Sequence, residues 1–203
     1  MAALERFIHD ESAPLPALVS AAIAHVQFET IHPFLDGNGR MGRLLIALML
    51  HQAGILRQPL LYLSLFMKQH RAEYYRLLDT VRVDGDWEAW LDFFLEGVAQ
   101  TAGSAVELAQ RLLTLFRDDE RRILKMGRGT ASLLKVYEAL RVRPVAAISD
   151  IAARAELTFP TASRAIEMLV QAGIARELTG GRRSRIYSYN QYLAILNEGT
   201  EPL

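Results

Sequence analysis

The chain has 203 residues, enough for one large domain or two small ones. Its 23 Lys and Arg residues balance 23 Asp and Glu residues, which argues against a uniformly basic nucleic-acid binder or an acidic tail and leaves a local patch open. With no cysteine, a disulfide scaffold and thiolate-held zinc are both excluded, and 51 % hydrophobic with 23 % charged residues is a globular mix. The longest apolar run, Leu44 to Leu50, is far short of the ~20 residues of a membrane span. The start MAALERFIHDESAPLP lacks the basic head and apolar stretch of a signal peptide. The expected setting is soluble and cytoplasmic, with no membrane partner.

In chain order, the apolar positions Leu18, Val19, Ala22, Ile23 and Val26 follow helical spacing after Pro16, which suits a first turn. That helix should end at Ile31-His32-Pro33, because proline disfavours helix in the residue before it. The turn-rich Phe34-Leu35-Asp36-Gly37-Asn38-Gly39 follows, and Arg40 to His51 returns to helix. Ser64 is a plausible cap for one helix running to about Val81, and Asp86 for another starting at Trp87, with interruptions expected at Gly97 and Gly103. Met126 to Thr130 reads as a boundary between residues 1–126 and 127–203. Beyond it come three short helices, the third from Thr158 to Ala172 and closed by Gly173. Ile174 to Leu178 and Arg185 to Tyr189 then read as strands around a Thr179-Gly180-Gly181 turn. Three helices and a hairpin are the order of a winged helix-turn-helix. The fold class expected is mainly α, a helical core followed by that small module.

The stretch His32-Pro33-Phe34-Leu35-Asp36-Gly37-Asn38-Gly39-Arg40-Met41-Gly42-Arg43 carries the chemistry. Glycines around Asn38 free the backbone, and a helix starting there turns several N–H groups and its dipole toward one point, an anion nest. Arg40 and Arg43, three apart, are neighbours on the first turns and can grip phosphate oxygens in pairs. Asp36 supplies a hard oxygen ligand suited to Mg²⁺ shared with phosphates, and His32 a base with a reference pKa near 6.5. Singly, each element is commonplace in a capping loop or on a solvated helix face; their joint occurrence is not. The stretch is neither a Walker loop nor a dinucleotide-binding glycine fingerprint.

These twelve residues resemble the Fic signature HPFx[DE]GNGRxxR at every defined position, and residues 1 to about 125 are similar to Fic proteins in their flanks as well: Gln27 to Ile31, Leu44 to Ile46, Tyr74-Tyr75 and Gly85-Asp86-Trp87. The resemblance implies a Fic-type helical core and transfer of AMP from ATP to a Ser, Thr or Tyr hydroxyl of a target protein, with Mg²⁺. By it, His32 takes the hydroxyl proton and Asp36 holds Mg²⁺. Gly37, Asn38 and Gly39 form the nest, Arg40 and Arg43 neutralise the outer phosphates, and Phe34 points inward to anchor the loop. Tyr75 is a candidate for the nucleoside end. Gly39 stands where a phosphorylating subgroup resembling the Doc toxins has Lys, and so favours AMP transfer.

Two family parts are unmatched. No hairpin flap is legible in the roughly 30 residues before His32, so the chain reads as N-terminally short. The inhibitory pattern [ST]xxxE[GN] is missed at both Glu-Gly pairs, Glu96-Gly97 preceded by Asp92 and Glu198-Gly199 preceded by Ala194. Inhibition would then come from a missing segment or a separate partner. In the second module the expected DNA contacts are Arg164 on the third helix and Arg182, Arg183 and Arg185 at the hairpin. The bland alternative is a protein-docking or dimerisation module, which leaves an oligomer open. Two other functions stay open: a DNA-binding regulator with a nucleotide-sensing or inactive Fic part, and removal of AMP from modified proteins. The net zero charge splits at Met126 into −3 (13 basic, 16 acidic) and +3 (10 basic, 7 acidic).

Overall fold

The computed structural model describes residues 1–10, 15–57, 63–127, 129–181 and 184–198. Contacts group the chain into two units, Met1–Ala105 and Val106–Leu203, and the division falls inside a single long helix. The sequence boundary at Met126 marks the change of hydrophobic pattern. The contact boundary lies earlier because Ile123, with Leu115 and Phe116, belongs to the second core. Among the described residues no helix is long and apolar enough to cross a membrane.

The first unit is helical. Helix α1 (Ala2–Ile8) lies against α2 (Ala17–Ile31) through Leu4, Ala24 and Phe28. Pro16 is the residue before α2 rather than in its first turn. The alanines 21, 22 and 24 are fully buried, and their small side chains let α2 pack closely on α3 (Asn38–Gln52). Helix α3 buries Asn38, Gly42, Ile46, Ala47 and Leu50, a stripe of period three to four.

Where a single helix from Ser64 was expected there are two, α4 (Leu63–Gln69) and α5 (Arg71–Asp84). The break is at His70, at φ −104°, ψ 35°; the Phe66 carbonyl still accepts the His70 N–H at 3.0 Å and has His70 Nδ1 at 3.0 Å as well. Helix α5 ends at Gly85 in the left-handed region, and Asp86 accepts the Ala89 N–H at 3.2 Å to open α6 (Trp87–Leu124). The interruptions expected at Gly97 and Gly103 do not occur. Gly97 is a packing notch instead: a Cβ there would meet Phe66 Cδ1 at 2.5 Å. Trp90, fully buried, anchors this core and donates its Nε1–H to the Ala22 carbonyl at 3.1 Å.

The second unit combines α7 (Thr130–Val142), α8 (Ile148–Arg154) and α9 (Phe159–Gln171) with strands β1 (Val145–Ala147), β2 (Arg176–Glu177) and β3 (Ile186–Ser188). The sheet is antiparallel in the order β1-β3-β2, with Ala146 opposite Tyr187 and Glu177 opposite Tyr187. Strand β1 and a closing helix, α10 (Asn190–Asn197), were not legible in the sequence, and β2 is shorter than the run Ile174 to Leu178 suggests. A buried polar chain fastens α6 into this unit. Tyr189 donates to Asp119 at 2.6 Å, Arg122 pairs with the same carboxylate at 2.7 Å, and Tyr137 donates to the Phe116 carbonyl at 3.0 Å. Burial and the adjoining Asp119 carboxylate push the Tyr189 hydroxyl far above the usual phenol range.

Candidate active site

The turn between α2 and α3 is shaped by two left-handed residues. His32 ends α2 at φ 48°, ψ 58°, a conformation uncommon outside glycine but more accessible to His than to most residues, and Pro33 bars further helix. Gly37, at φ 84°, starts α3. Between them Asn38 staples the loop: its Oδ1 accepts the Phe34 N–H at 2.9 Å and its Nδ2 donates to the Phe34 carbonyl at 2.6 Å. The Asn38 side chain is thus buried and occupied, which leaves its backbone N–H for an anion. Phe34 is half exposed rather than pointing inward, with its ring 6.3 Å from that of Phe28.

The first intrahelical bond of α3 runs from the Met41 N–H to the Gly37 carbonyl. The N–H groups of Asn38, Gly39 and Arg40 therefore have no intrahelical acceptor, and the helix dipole adds to them. Both arginines fold back over the loop glycines. A Cβ on Gly37 would meet Arg40 Nη2 at 3.3 Å, and one on Gly39 would meet Arg43 Nη1 at 3.2 Å. Arg40 pairs with Asp36 at 3.4 Å, both side chains largely in solvent, a contact worth little by itself. Arg43 has no ion pair among the described residues. His32 is exposed at the far rim, Nδ1 3.3 Å from the Glu29 carbonyl oxygen, so Nε2 is the nitrogen left for chemistry. Tyr75 is half exposed on α5, edge-on to Tyr74 and with Arg71 5.6 Å from its ring centre.

A single carboxylate marks the loop, and no group of three or more acids and histidines able to hold a metal ion occurs among the described residues. That donor set fits a Mg²⁺ that arrives with its own phosphate oxygens and takes one carboxylate from the protein, and not a resident all-protein site. Asp36 is exposed and loosely paired, as such a ligand must be.

The sequence does not single out the groups beneath the loop. His25 is completely buried, pairs with Tyr74 at 2.9 Å and stacks on Trp90. Burial pushes its pKa down to about 4. Glu29, also buried, has its carboxyl raised by desolvation, against the opposing fields of His32, Arg43 and Arg82. The available signal was Gly42, a glycine inside an otherwise good helix pattern.

Of the second-unit candidates, Arg164 is exposed, and Arg185 is tied to Glu167 at 3.2 Å and Ser163 at 2.9 Å. Its charge is thus partnered within the unit by Glu167 of α9. Arg182 and Arg183 lie outside the described residues. Glu198 is held by Arg111 through two contacts of 2.5 and 2.7 Å.

Residues 1–50 match the model of the Fic/DOC family. Over 145 residues the chain is 29 % identical to the protein adenylyltransferase Fic of Drosophila mojavensis, covering 67 % of this chain and 28 % of that protein. It is 35 % identical over 102 residues to the protein adenylyltransferase Fic of Drosophila melanogaster, covering 50 % and 19 %. A crystal structure of a Fic family protein from Desulfovibrio desulfuricans G20 superposes with a TM-score of 0.51 at 21 % identity, over 93 % of this chain and 53 % of that one. The chain spans less than a third of the curated relatives it matches. Residues 1–50 are thus similar to the Fic/DOC family, the matched part of the chain is similar to Fic adenylyltransferases, and the mainly helical fold resembles that of the Fic family crystal structure.

Proposed function

We propose that this chain transfers AMP from ATP to a hydroxyl side chain of a target protein. The observation that carries the reading is the turn from His32 to Arg43. It sets an imidazole at one rim and three backbone donors with two guanidinium groups at the start of α3, all on one short loop. His32 Nε2 removes the proton of the target hydroxyl, and that oxygen forms a bond to the α-phosphorus. The bond from the α-phosphorus to the bridging oxygen breaks, and pyrophosphate leaves. The N–H groups of Gly39 and Arg40 and the guanidiniums of Arg40 and Arg43 hold the charge that moves onto the outer phosphates. Asp36 would hold Mg²⁺, which supplies charge neutralisation and orientation of the phosphates when bound. Tyr75 would flank the nucleoside, and Gly39 leaves the loop without the cation that a phosphorylating orientation uses. An Arg43 with no ion pair among the described residues supports a site open to ATP.

The test is incubation of the chain and a cell lysate with ATP labelled in the α-phosphate and Mg²⁺, wild type against His32→Ala. A labelled protein band present with wild type and lost in the variant is expected. No label with wild type overturns the reading.

For the second part of the chain, residues 127–203, the α7–β1–α8–α9–β2–β3 order supports a winged helix-turn-helix, with Arg164 as the base or phosphate contact of α9. Binding to duplex DNA that weakens with salt and is lost in Arg164→Ala is expected; no binding at 50 mM salt leaves docking of a protein as its role.

A further inference from the structure

Two buried polar atoms in the first unit make no well-formed hydrogen bond and face the same spot: His25 Nδ1, which has only the Gly42 backbone beside it, and Glu29 Oε1. The spot is Gly42. A Cβ there would lie 2.6 Å from Glu29 Oε1, 3.0 Å from His25 Cε1 and 3.1 Å from His25 Nδ1. The missing side chain is what lets the two groups reach α3 at all. From the other side His25 Nε2 meets the Tyr74 hydroxyl at 2.9 Å, and Tyr74 is buried, its hydroxyl pushed far above the usual phenol range by desolvation and by Glu29. Arg82 closes the end of α2 by donating to the Glu29 carbonyl at 3.1 Å and to Thr30 Oγ1 at 3.2 Å.

Each member of this cluster sits beside a candidate site residue on its own helix. Glu29 is one turn before His32 on α2, Gly42 directly precedes Arg43 on α3, and Tyr74 directly precedes Tyr75 on α5. Three separate helices bring the base, the phosphate grip and the nucleoside platform, and the cluster is buried where they meet. Unpaired buried polar atoms are costly, and apolar residues of similar size would pack the same space without that cost. A polar pair kept there therefore points to a requirement of direction: a hydrogen-bonded cluster admits few arrangements, whereas an apolar contact slides.

We infer that Glu29, His25, Gly42 and Tyr74 form a positioning unit that fixes His32, Arg43 and Tyr75 relative to one another. One bridging water beside Gly42 would close the chain from His25 Nδ1 to Glu29 Oε1. Neutral His25 suits it, and burial raises the Glu29 carboxyl against His32, Arg43 and Arg82, the charged groups facing the pair.

The kinetic arm of the test rests on the AMP-transfer reading; the spectroscopic arm does not. In Gly42→Ala the new methyl displaces Glu29 and His25, and AMP transfer falls tenfold or more, in kcat more than in KM for ATP. The His25 ring ¹⁵N and Arg43 side-chain N–H resonances shift as well. Shortening the acid makes room again, so Glu29→Asp/Gly42→Ala recovers to within threefold of Glu29→Asp alone and regains its resonance positions. Should Gly42→Ala not fold, Glu29→Leu carries the same test and Glu29→Gln its rescue, the first losing tenfold or more and shifting the His25 signals, the second staying within threefold. Smaller losses with unmoved resonances, or a paired variant no better than its parent, overturn the inference. A wild-type chain without AMP transfer overturns the functional reading instead, and the resonances alone then decide the positioning unit.

Discussion

Arg43 Nη1 lies 3.2 Å from the point where a Cβ of Gly39 would be, so the second motif arginine folds over the first turn of its own helix in space that a side chain at residue 39 would crowd. Gly39 has no left-handed backbone, unlike Gly37, and alanine is a better helix former than glycine by about 1 kcal/mol. The two effects of Gly39→Ala therefore run in opposite directions. Thermal unfolding should move up by a few degrees, and AMP transfer should fall about tenfold, about 1.4 kcal/mol of transition-state stabilisation. Melting and initial-rate measurements on the same preparation check it; a variant both more stable and fully active would show that the arginine need not lie over the loop.

Gly97 is the glycine whose replacement should cost stability. The Cβ of an alanine there would be 2.5 Å from Phe66 Cδ1 and 3.1 Å from Leu63 Cδ1, and both are buried in α4. Overpacking of this kind costs about 1–3 kcal/mol, against the ~1 kcal/mol that alanine gains in a helix interior. Gly97→Ala should lower the urea midpoint, and Gly97→Ala with Phe66→Leu should recover part of the loss. By contrast Gly103→Ala, with open space around it, should be neutral or stabilising.

The comparison of the two glycines also explains what was legible beforehand. Hydrophobic period and punctuation by Pro33, Gly85 and Gly173 located most helix ends, because proline disfavours helix in the residue before it and glycine accepts the left-handed turn that ends one. The motif residues were legible because twelve consecutive positions carry the whole loop. The break at His70 was not, since no proline or glycine marks it. Strand β1 is three residues long and exists only through pairing with Ser188, Tyr187 and Ile186, some forty residues on. The His25–Glu29–Tyr74 cluster joins residues 49 apart, and a histidine on an apolar helix face looks the same in sequence whether or not a tyrosine waits for it. Long-range pairing of polar groups has no local signature.

Tyr189 and Asp119, 70 residues apart, make the polar tie between α6 and the end of β3. Tyr189→Phe keeps the ring contacts with Phe116 and Tyr192 and removes only the hydroxyl. Buried Asp119 retains Arg122 but loses a 2.6 Å bond, for which a cost of about 1–3 kcal/mol is expected. Chemical denaturation followed by far-ultraviolet circular dichroism should show the midpoint falling with the slope unchanged. Arg122→Ala should cost more than Tyr189→Phe, because it leaves the buried carboxylate without its cation.

Stability should also fall on mild acidification, and His25 gives the sign. Its pKa is about 4 in the folded chain against 6.5 in the unfolded one, so the unfolded state binds more protons between those values. The contribution is fully present above pH 6.5 and is lost as pH falls toward 4, on the order of 3 kcal/mol over the window. Glu29 acts the other way. Its raised pKa means the folded state takes up a proton first, which adds stability as pH falls through that raised value toward the unfolded 4.5. The decline between pH 6.5 and 5 should therefore belong mainly to His25, and His25→Gln should flatten it, even if the variant is less stable at pH 7. Urea titrations at half-unit steps from pH 7.5 to 4.5 compare the two slopes, and parallel slopes would mean that His25 is reached by protons in the folded state.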